Sequence, residues 1–483
     1  MTYKEARVYL DEMSRYGSVL GLDSIQGLLR ELGNPQDNLK FIHIAGTNGK
    51  GSVLAYTSTI LSEAGYRTGR YVSPTVVAYL ERIQIDGMWI PEEKFAENTA
   101  KVRDAIVRLE AAGKPVPTVF EAETAIAFLY FCDMKCDFVV LEAGLGGELD
   151  ATNIIRNTVC AVFTPISRDH IGVIGNTVEE IAENKAGIIK PGCMAVSAAQ
   201  TECVAKVLRD CMRKKGCMTD CTVEPEFFQA EPEKARITAE DSGGITLSYK
   251  EFEDIHTAMA GEYQKGNLVT ALEVVRALRA AGYAADIDAV RRGVGKTVWP
   301  GRFERIGEKP EFILDGAHNE DAALKLRASV ERYFPGRRLL FIMGVFRDKE
   351  YERIAQIMCP LAASVYTVEL PDRRRGFPAG KLAETAGKYC KDVRAFPEEE
   401  AGSRDAMSGG EDSKIRERHC HAGESIRKAA AAAMEAARPD DVILAFGSLS
   451  YLQNMREAYE DIVKQADACR NAGGIERKRG DHR

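Results

Sequence analysis

The sequence predicts an α/β protein in two parts: a larger N-terminal domain on a mostly parallel sheet, and a smaller C-terminal α/β domain. Three observations carry this. From residue 41 to about 280, apolar strand-like runs alternate with helical periodicity, the pattern of parallel strands covered by helices. One such run, Phe41–Ala45, ends in the turn Gly46-Thr47-Asn48-Gly49-Lys50-Gly51-Ser52. The alternation then breaks at Trp299-Pro300-Gly301, a strong turn signal, and starts again. The expected divisions are 1–297, 298–469 and a basic, aperiodic tail, 470–483, expected to be disordered.

In chain order, Phe41–Ala45 reads as a buried strand and 53–61 as the helix after the glycine turn. A helix is expected over 121–130, then a strand at Phe138–Glu142. A strand at 160–165, a helix at 179–188 and a strand at 194–198 follow. The region 219–257 changes character, and its alternating runs at 235–239 and Gly244–Tyr249 predict a small antiparallel excursion. Helices over 266–281 and 286–294 lead to the break. Beyond it, strands are expected at Glu311–Leu314, 338–345, 364–370 and Val442–Phe446. The polar stretch 398–425 predicts a long exposed loop.

At 483 residues the chain exceeds one ordinary core, so two or three domains are expected. With 45% hydrophobic and 28% charged residues, wholesale disorder is excluded. The net charge of −7 gives no reason to expect nucleic acid, and it requires local lysines and arginines to meet any anionic substrate. No apolar run has the length of a membrane span, and the polar start is unlike a signal peptide, so a cytoplasmic protein without a membrane partner is expected. The twelve cysteines show no paired Cys-x-x-Cys spacing. Cys211, Cys217, Cys221 and His419-Cys420-His421 read as incidental rather than metal-binding, and Cys160 and Cys359 as small buried hydrophobes.

Chemistry concentrates at strand ends. A strand, a glycine turn and a helix N-terminus together aim unpaired N–H groups and a positive dipole at one spot, which suits phosphate. Lys50 would add a charge there, and Ser52 could ligate Mg²⁺. A plain glycine-rich turn is the competing reading, since the spacing departs from the strict phosphate-loop pattern. Glu142 ends a strand that runs into Gly144-Leu145-Gly146-Gly147, at the edge where open α/β sheets bind ligands. His170, after the 160–165 strand, is either structural or a ligand in that crevice. Lys185 is either an exposed helix lysine or one facing the metal site. In the second domain Asp315 and His318 follow a strand, and Asp348 and Lys349 follow the next one, which suggests a functional rim.

Together these motifs resemble the folylpolyglutamate synthase and dihydrofolate synthase family of the Mur ligase superfamily. The resemblance rests on the 46–52 turn, Glu142-Ala143-Gly144-Leu145-Gly146-Gly147 with Leu149-Asp150-Ala151-Thr152-Asn153, and Asp169-His170. Lys185 in Glu183-Asn184-Lys185-Ala186-Gly187-Ile188, Pro300-Gly301-Arg302 and Asp315-Gly316-Ala317-His318-Asn319 fit as well, as do Leu20-Gly21-Leu22, Ser73-Pro74 and Glu81-Arg82. It implies a P-loop-type N-terminal domain, a Rossmann-like C-terminal domain and a monomer. It also implies ATP- and Mg²⁺-dependent formation of an amide between glutamate and a folate or dihydropteroate, through an acyl phosphate.

Carried over by motif, Asn48, Gly49, Lys50, Gly51 and Ser52 hold the ATP phosphates, with Asn267, Arg302 and Asp315 as further ATP contacts. Ser73, Glu142, His170 and Lys185, the last as a carbamate, are implied Mg²⁺ ligands. Gly21, Leu22, Phe120 and Glu121 are implied on the pterin side, and Leu20-Gly21-Leu22 favours including the first glutamate addition. Glu148 departs from the family's usual arginine and reverses a charge near the cleft. Two other readings compete: a ligase for a cell-wall precursor, and a nucleotide switch, which has no need of a metal cluster.

Overall fold

The computed structural model describes residues 1–13, 21–216, 228–398 and 423–477. Packing divides the chain into two compact units, Met1–Trp299 and Pro300–Arg483. Cys217, Cys221, the 419–421 tripeptide and most of the expected 398–425 loop lie outside the described residues.

The first unit is built on eight strands. They are β1 Phe41–Ala45, β2 Thr68–Tyr71, β3 Ile83–Ile85, β4 Met88–Trp89, β5 Phe138–Glu142, β6 Thr158–Phe163, β7 Met194–Ser197 and β8 Phe228–Gln229. Their order is β4-β3-β2-β5-β1-β6-β7-β8. From β2 to β8 all neighbours are parallel, and β3 and β4 close one edge as an antiparallel pair. β1 is buried along its whole length, as a strand covered on both faces requires. Ile42 and Ile44 join one apolar cluster with the helices Lys50–Glu63 and Glu262–Ala280, while Phe41 joins the opposite cluster with the helix Val119–Asp133.

This topology positions the site. β1 lies between β5 and β6, with Ile44 opposite Glu142 and Ala45 opposite Phe163. The chain leaving β1 returns at β2, beyond β5, whereas the chain leaving β5 crosses to β6. The connections diverge here, and such a switch point opens a crevice at the carboxyl ends of the strands.

Three boundaries differ from expectation in ways that matter. The helix after the glycine turn starts at Lys50, not at 53, because Gly49 takes the left-handed conformation (φ 91°) and caps it. Lys50, Gly51 and Ser52 therefore form its first turn. β6 ends at Phe163, not at 165: the Thr164 N–H still reaches Ala45 O at 2.9 Å, but Pro165 has no N–H to continue the ladder. The helix expected from 266 begins at Glu262, which brings Gln264 onto the same turn as Asn267. A separate antiparallel sheet holds β9 Arg236–Asp241, β10 Gly244–Tyr249 and β11 Phe252–Thr257, the last not anticipated from the sequence.

The second unit carries β12 Glu304–Glu308, β13 Glu311–Leu314, β14 Leu339–Met343, β15 Ser364–Val368, β16 Val393–Phe396 and β17 Val442–Phe446, in the order β12-β13-β17-β14-β15-β16. All pairs are parallel except β12 with β13. The tail expected from 470 is corrected in part: the helix Leu452–Arg477 continues through 470–477, a stretch with no proline to stop it, and 478–483 lie outside the described residues. Among the described residues, no helix is long and apolar enough to cross a membrane.

Candidate active site

The site grows from the carboxyl ends of β5, β1 and β6. Gly46 leaves β1 with φ 151°, and a Cβ there would lie 1.9 Å from Thr164 Oγ1. Only glycine allows this close approach of two neighbouring strand ends. Thr47 fixes the turn from the other side: its N–H donates to Pro165 O at 2.9 Å, and its hydroxyl accepts from Ser167 N at 3.1 Å. No side chain caps the N-terminus of the helix Lys50–Glu63. Its first-turn N–H groups therefore remain the cradle that the sequence suggests.

Packing holds this helix start from above. A Cβ on Gly49 would meet Asn267 Oδ1 at 2.4 Å, and one on Gly51 would meet Trp299 Nε1 at 2.6 Å. Asn267 Nδ2 donates to Gln264 Oε1 at 3.0 Å, and Gln264 Nε2 donates to Ser52 Oγ at 3.4 Å. Asn267 is thus brought to the loop as expected. Gln264 and Trp299 were not singled out beforehand, although Gln264 stands three residues before Asn267 on the same helix face.

Two lysines converge below the turn. Lys50 Nζ donates to Gly46 O and Thr47 O, both at 3.2 Å, and lies 3.9 Å from Glu142 Oε1. Lys185 Nζ donates to the same Gly46 O at 3.0 Å. Lys185 is 3% exposed, which decides between its two readings against the surface one. Burial first, and then the charge of Lys50, pushes its ammonium down to about 7, against weaker opposing pulls from Asp169 and Asp150.

The loop after β5 is moulded onto that lysine. A Cβ on Gly147 would lie 2.7 Å from Lys185 O, so the Gly146-Gly147 pair admits the helix Val178–Ala186. Asp150 ties the loop down: Oδ2 accepts from Leu145 N at 2.7 Å and Oδ1 from Thr152 N at 2.9 Å. Thr152 Oγ1 also contacts His43 Nε2 at 2.9 Å, and burial drives the His43 imidazole down to about 3, so it is neutral. Neither Asp150 nor His43 received a role from the sequence. The side chain of Glu148 is exposed, and its backbone N–H donates to Asn184 O at 2.9 Å.

Mg²⁺ fits the donor chemistry of this corner. Glu142, 6% exposed, offers a carboxylate whose Oε2 accepts from Ser73 N at 3.5 Å, and Ser52 and Ser73 add hydroxyl oxygens. His170 sits on the turn after β6 with φ 48°; its imidazole is 42% exposed and faces Asp169 at 3.7 Å.

Other expected residues have structural tasks. The Glu121 carboxylate accepts from Thr118 N at 2.7 Å in a capping box, and also from Ile25 N and the Ser24 hydroxyl. Both of its oxygens are engaged, which fixes the carboxylate in place. Phe120 lies against Gly144, Leu22 precedes the helix Asp23–Glu31, and Gly21 has φ 149°. In the second unit Asp315 accepts from Phe303 N at 2.9 Å and Ala317 N at 2.8 Å, and Arg302 packs over Gly316. His318 Nδ1 lies 2.7 Å from Gly316 O and donates its N–H to that carbonyl. Asp348 is exposed beside Arg375, and Lys349 is half-buried.

Comparison with known proteins agrees with this geometry. Residues 44–275 match the Mur ligase middle domain, and residues 301–449 match the Mur ligase, glutamate ligase domain. A dihydrofolate synthase/folylpolyglutamate synthase of Bacillus subtilis is 33% identical over 79% of this chain and 87% of its own length. The folylpolyglutamate synthase of Thermotoga maritima superposes with a TM-score of 0.76 at 30% identity, covering 94% of this chain and 96% of that one. Escherichia coli FolC in complex with DHPP and ADP gives 0.77 at 27% identity, covering 95% and 98%. The chain belongs to the folylpolyglutamate synthase/dihydrofolate synthase family of Mur ligases.

Proposed function

We propose that this chain is an ATP-dependent, ADP-forming acid–amino-acid ligase that joins glutamate to the carboxylate of a folate or dihydropteroate. One observation carries the reading: the uncapped helix start at Lys50, the Glu142 carboxylate and the buried Lys185 amine meet at one strand-end corner in a chain of this family. The alternative, a ligase acting on a cell-wall precursor or another carboxylate, draws no support from the relatives' names. The finer expectations belong to the same reading: a monomer, which one chain carrying both matched domains supports, and a place in the cytoplasm.

The chemistry follows from charge. The substrate carboxylate attacks the γ-phosphorus of ATP, and the bond to the β,γ-bridging oxygen breaks, releasing ADP. The glutamate amine then attacks the acyl carbon and loses a proton, and phosphate leaves with one former carboxylate oxygen. The first-turn N–H groups and Lys50 hold the phosphates as negative charge moves between oxygens. Glu142, Ser73, His170 and a carbamylated Lys185 would hold Mg²⁺, which when bound neutralises phosphate charge. Carbamylation needs a neutral amine, and the buried, depressed Lys185 supplies one.

The test offers purified protein ATP, Mg²⁺ and glutamate with dihydropteroate, tetrahydrofolate or a cell-wall precursor in turn. ADP release that requires both glutamate and one of the first two acceptors is expected. Release with the cell-wall precursor alone would overturn the reading.

A further inference from the structure

β1 carries one polar side chain in an otherwise apolar strand, Phe41-Ile42-His43-Ile44-Ala45. His43 is fully buried, and the reaction above gives it no task. An imidazole is a costly choice at this position. Its Nδ1 is buried and, among the described residues, has no hydrogen-bond partner, so the desolvation of that atom goes uncompensated. A phenylalanine of similar shape would avoid that cost. What the imidazole adds is a single donor.

The protons of this corner fix where that donor goes. The Asp150 carboxylate accepts from Leu145 N at 2.7 Å, from Thr152 N at 2.9 Å and from the Thr152 hydroxyl. Thr152 has one hydroxyl proton, and it is engaged with Asp150. The Thr152 oxygen therefore accepts from His43 Nε2, 2.9 Å away. The neutral imidazole is thus the Nε2–H tautomer, with its lone pair on the unpartnered Nδ1. One chain of hydrogen bonds links β1, through Thr152 and Asp150, to Leu145 in the loop after β5. In that loop, Gly146 lies against Asn184 and Gly147 against Lys185.

We propose that His43 is a positioning residue: through Thr152 it orients Asp150, and Asp150 fixes the 144–150 loop against which the Lys185 helix is seated. It holds a donor in place and transfers no proton. Its effect on rate rests on the ligase reading, whereas the hydrogen-bond chain does not. The first-turn N–H groups of the helix Lys50–Glu63 make no bond in this chain, so nucleotide affinity lies outside the effect.

The experiment compares wild type with His43→Phe, His43→Gln, Thr152→Val and the double variant His43→Phe/Thr152→Val. His43→Phe should lower kcat about three- to ten-fold, the scale of one neutral hydrogen bond, and leave KM for ATP unchanged. Its urea midpoint should move little, because the unpartnered Nδ1 is removed together with the donor. His43→Gln, whose amide can donate from near the Nε2 position, should recover most of the rate. The double variant should lose no more than Thr152→Val alone, as for two members of one chain. Two readouts need no turnover: nitrogen-15 spectra of wild type should show the His43 proton on Nε2, and the Leu145 amide should exchange faster in His43→Phe than in His43→Gln. A proton on Nδ1, losses that multiply in the double variant, or equal Leu145 exchange in all variants would overturn the proposal. If His43→Phe fails to fold, the wild-type tautomer and the His43→Gln and Thr152→Val rates decide in the same way. If wild type turns over no folate while Leu145 exchange still follows His43, the ligase reading fails and the positioning chain stands.

Discussion

Lys50 and Lys185 both direct their Nζ atoms at a single carbonyl, that of Gly46, at 3.2 and 3.0 Å. Burial first, and then repulsion between two ammonium groups this close, lowers Lys185 to about 7, while an ordinary lysine lies at 10.5. The corner therefore holds an amine able to give up its proton.

A stability prediction follows. Above 10.5 the Lys185 amine is neutral whether folded or unfolded; below about 7 it is charged in both, and the folded state bears the buried charge. The contribution of this residue is therefore present above 10.5 and lost as pH falls toward about 7. In carbon-dioxide-free buffer, Lys185→Met should gain stability relative to wild type at about pH 7 and lose that gain by about pH 10. Urea midpoints at both pH values check this, and a pH-independent difference would refute it.

Carbamylation makes a second expectation. Lys185→Ala should lose nearly all turnover while folding normally, and short carboxylates or bicarbonate should restore part of it by replacing the missing oxygen donors. Steady-state rates across a formate and acetate series are the readout. The idea fails if wild type shows a bare Lys185 ammonium in a crystal grown at neutral pH with bicarbonate.

Lys50→Ala should reduce kcat by about 10²–10³-fold, the scale for losing one preorganised charge in a phosphate site. Circular dichroism should stay unchanged, because Lys50 bonds only to turn carbonyls and half-faces Glu142. A wild-type rate would remove Lys50 from the chemistry.

Gly49→Ala should weaken nucleotide binding and destabilise the unit by ~1–2 kcal/mol from the left-handed backbone alone. The methyl would also displace Asn267 Oδ1, which lies 2.4 Å from its position. Nucleotide titration and thermal melting together test this; unchanged values for both would contradict the packing described here.

Much of this was legible in the sequence, for identifiable reasons. β1, β5, β13 and β17 match their expected limits because largely apolar runs end in glycine or a charged residue. The helix start at Lys50 was missed, since its cap is Gly49 in the left-handed conformation and not a Ser, Thr, Asp or Asn side chain that the sequence would announce. The burial of Lys185 could not be read from its own helix, because part of the cover comes from Gly146-Gly147 in the loop after β5. Glu121, expected on the pterin side, caps its helix through the local Thr118-x-x-Glu121 pattern and also binds Ser24, which lies far away in sequence. Asp150, quoted in the family motif, received no role although its partner Thr152 is two residues away, and His43 escaped notice because Thr152 lies far from β1 in sequence.

The central claim is that ATP activates the substrate carboxyl by phosphorylating it. Folate or dihydropteroate labelled with oxygen-18 in the reacting carboxylate should be turned over with ATP and glutamate, and the released phosphate analysed by mass spectrometry. The account predicts one labelled oxygen in each phosphate, carried there from the carboxylate. Phosphate without label, formed alongside the glutamate amide, would contradict it.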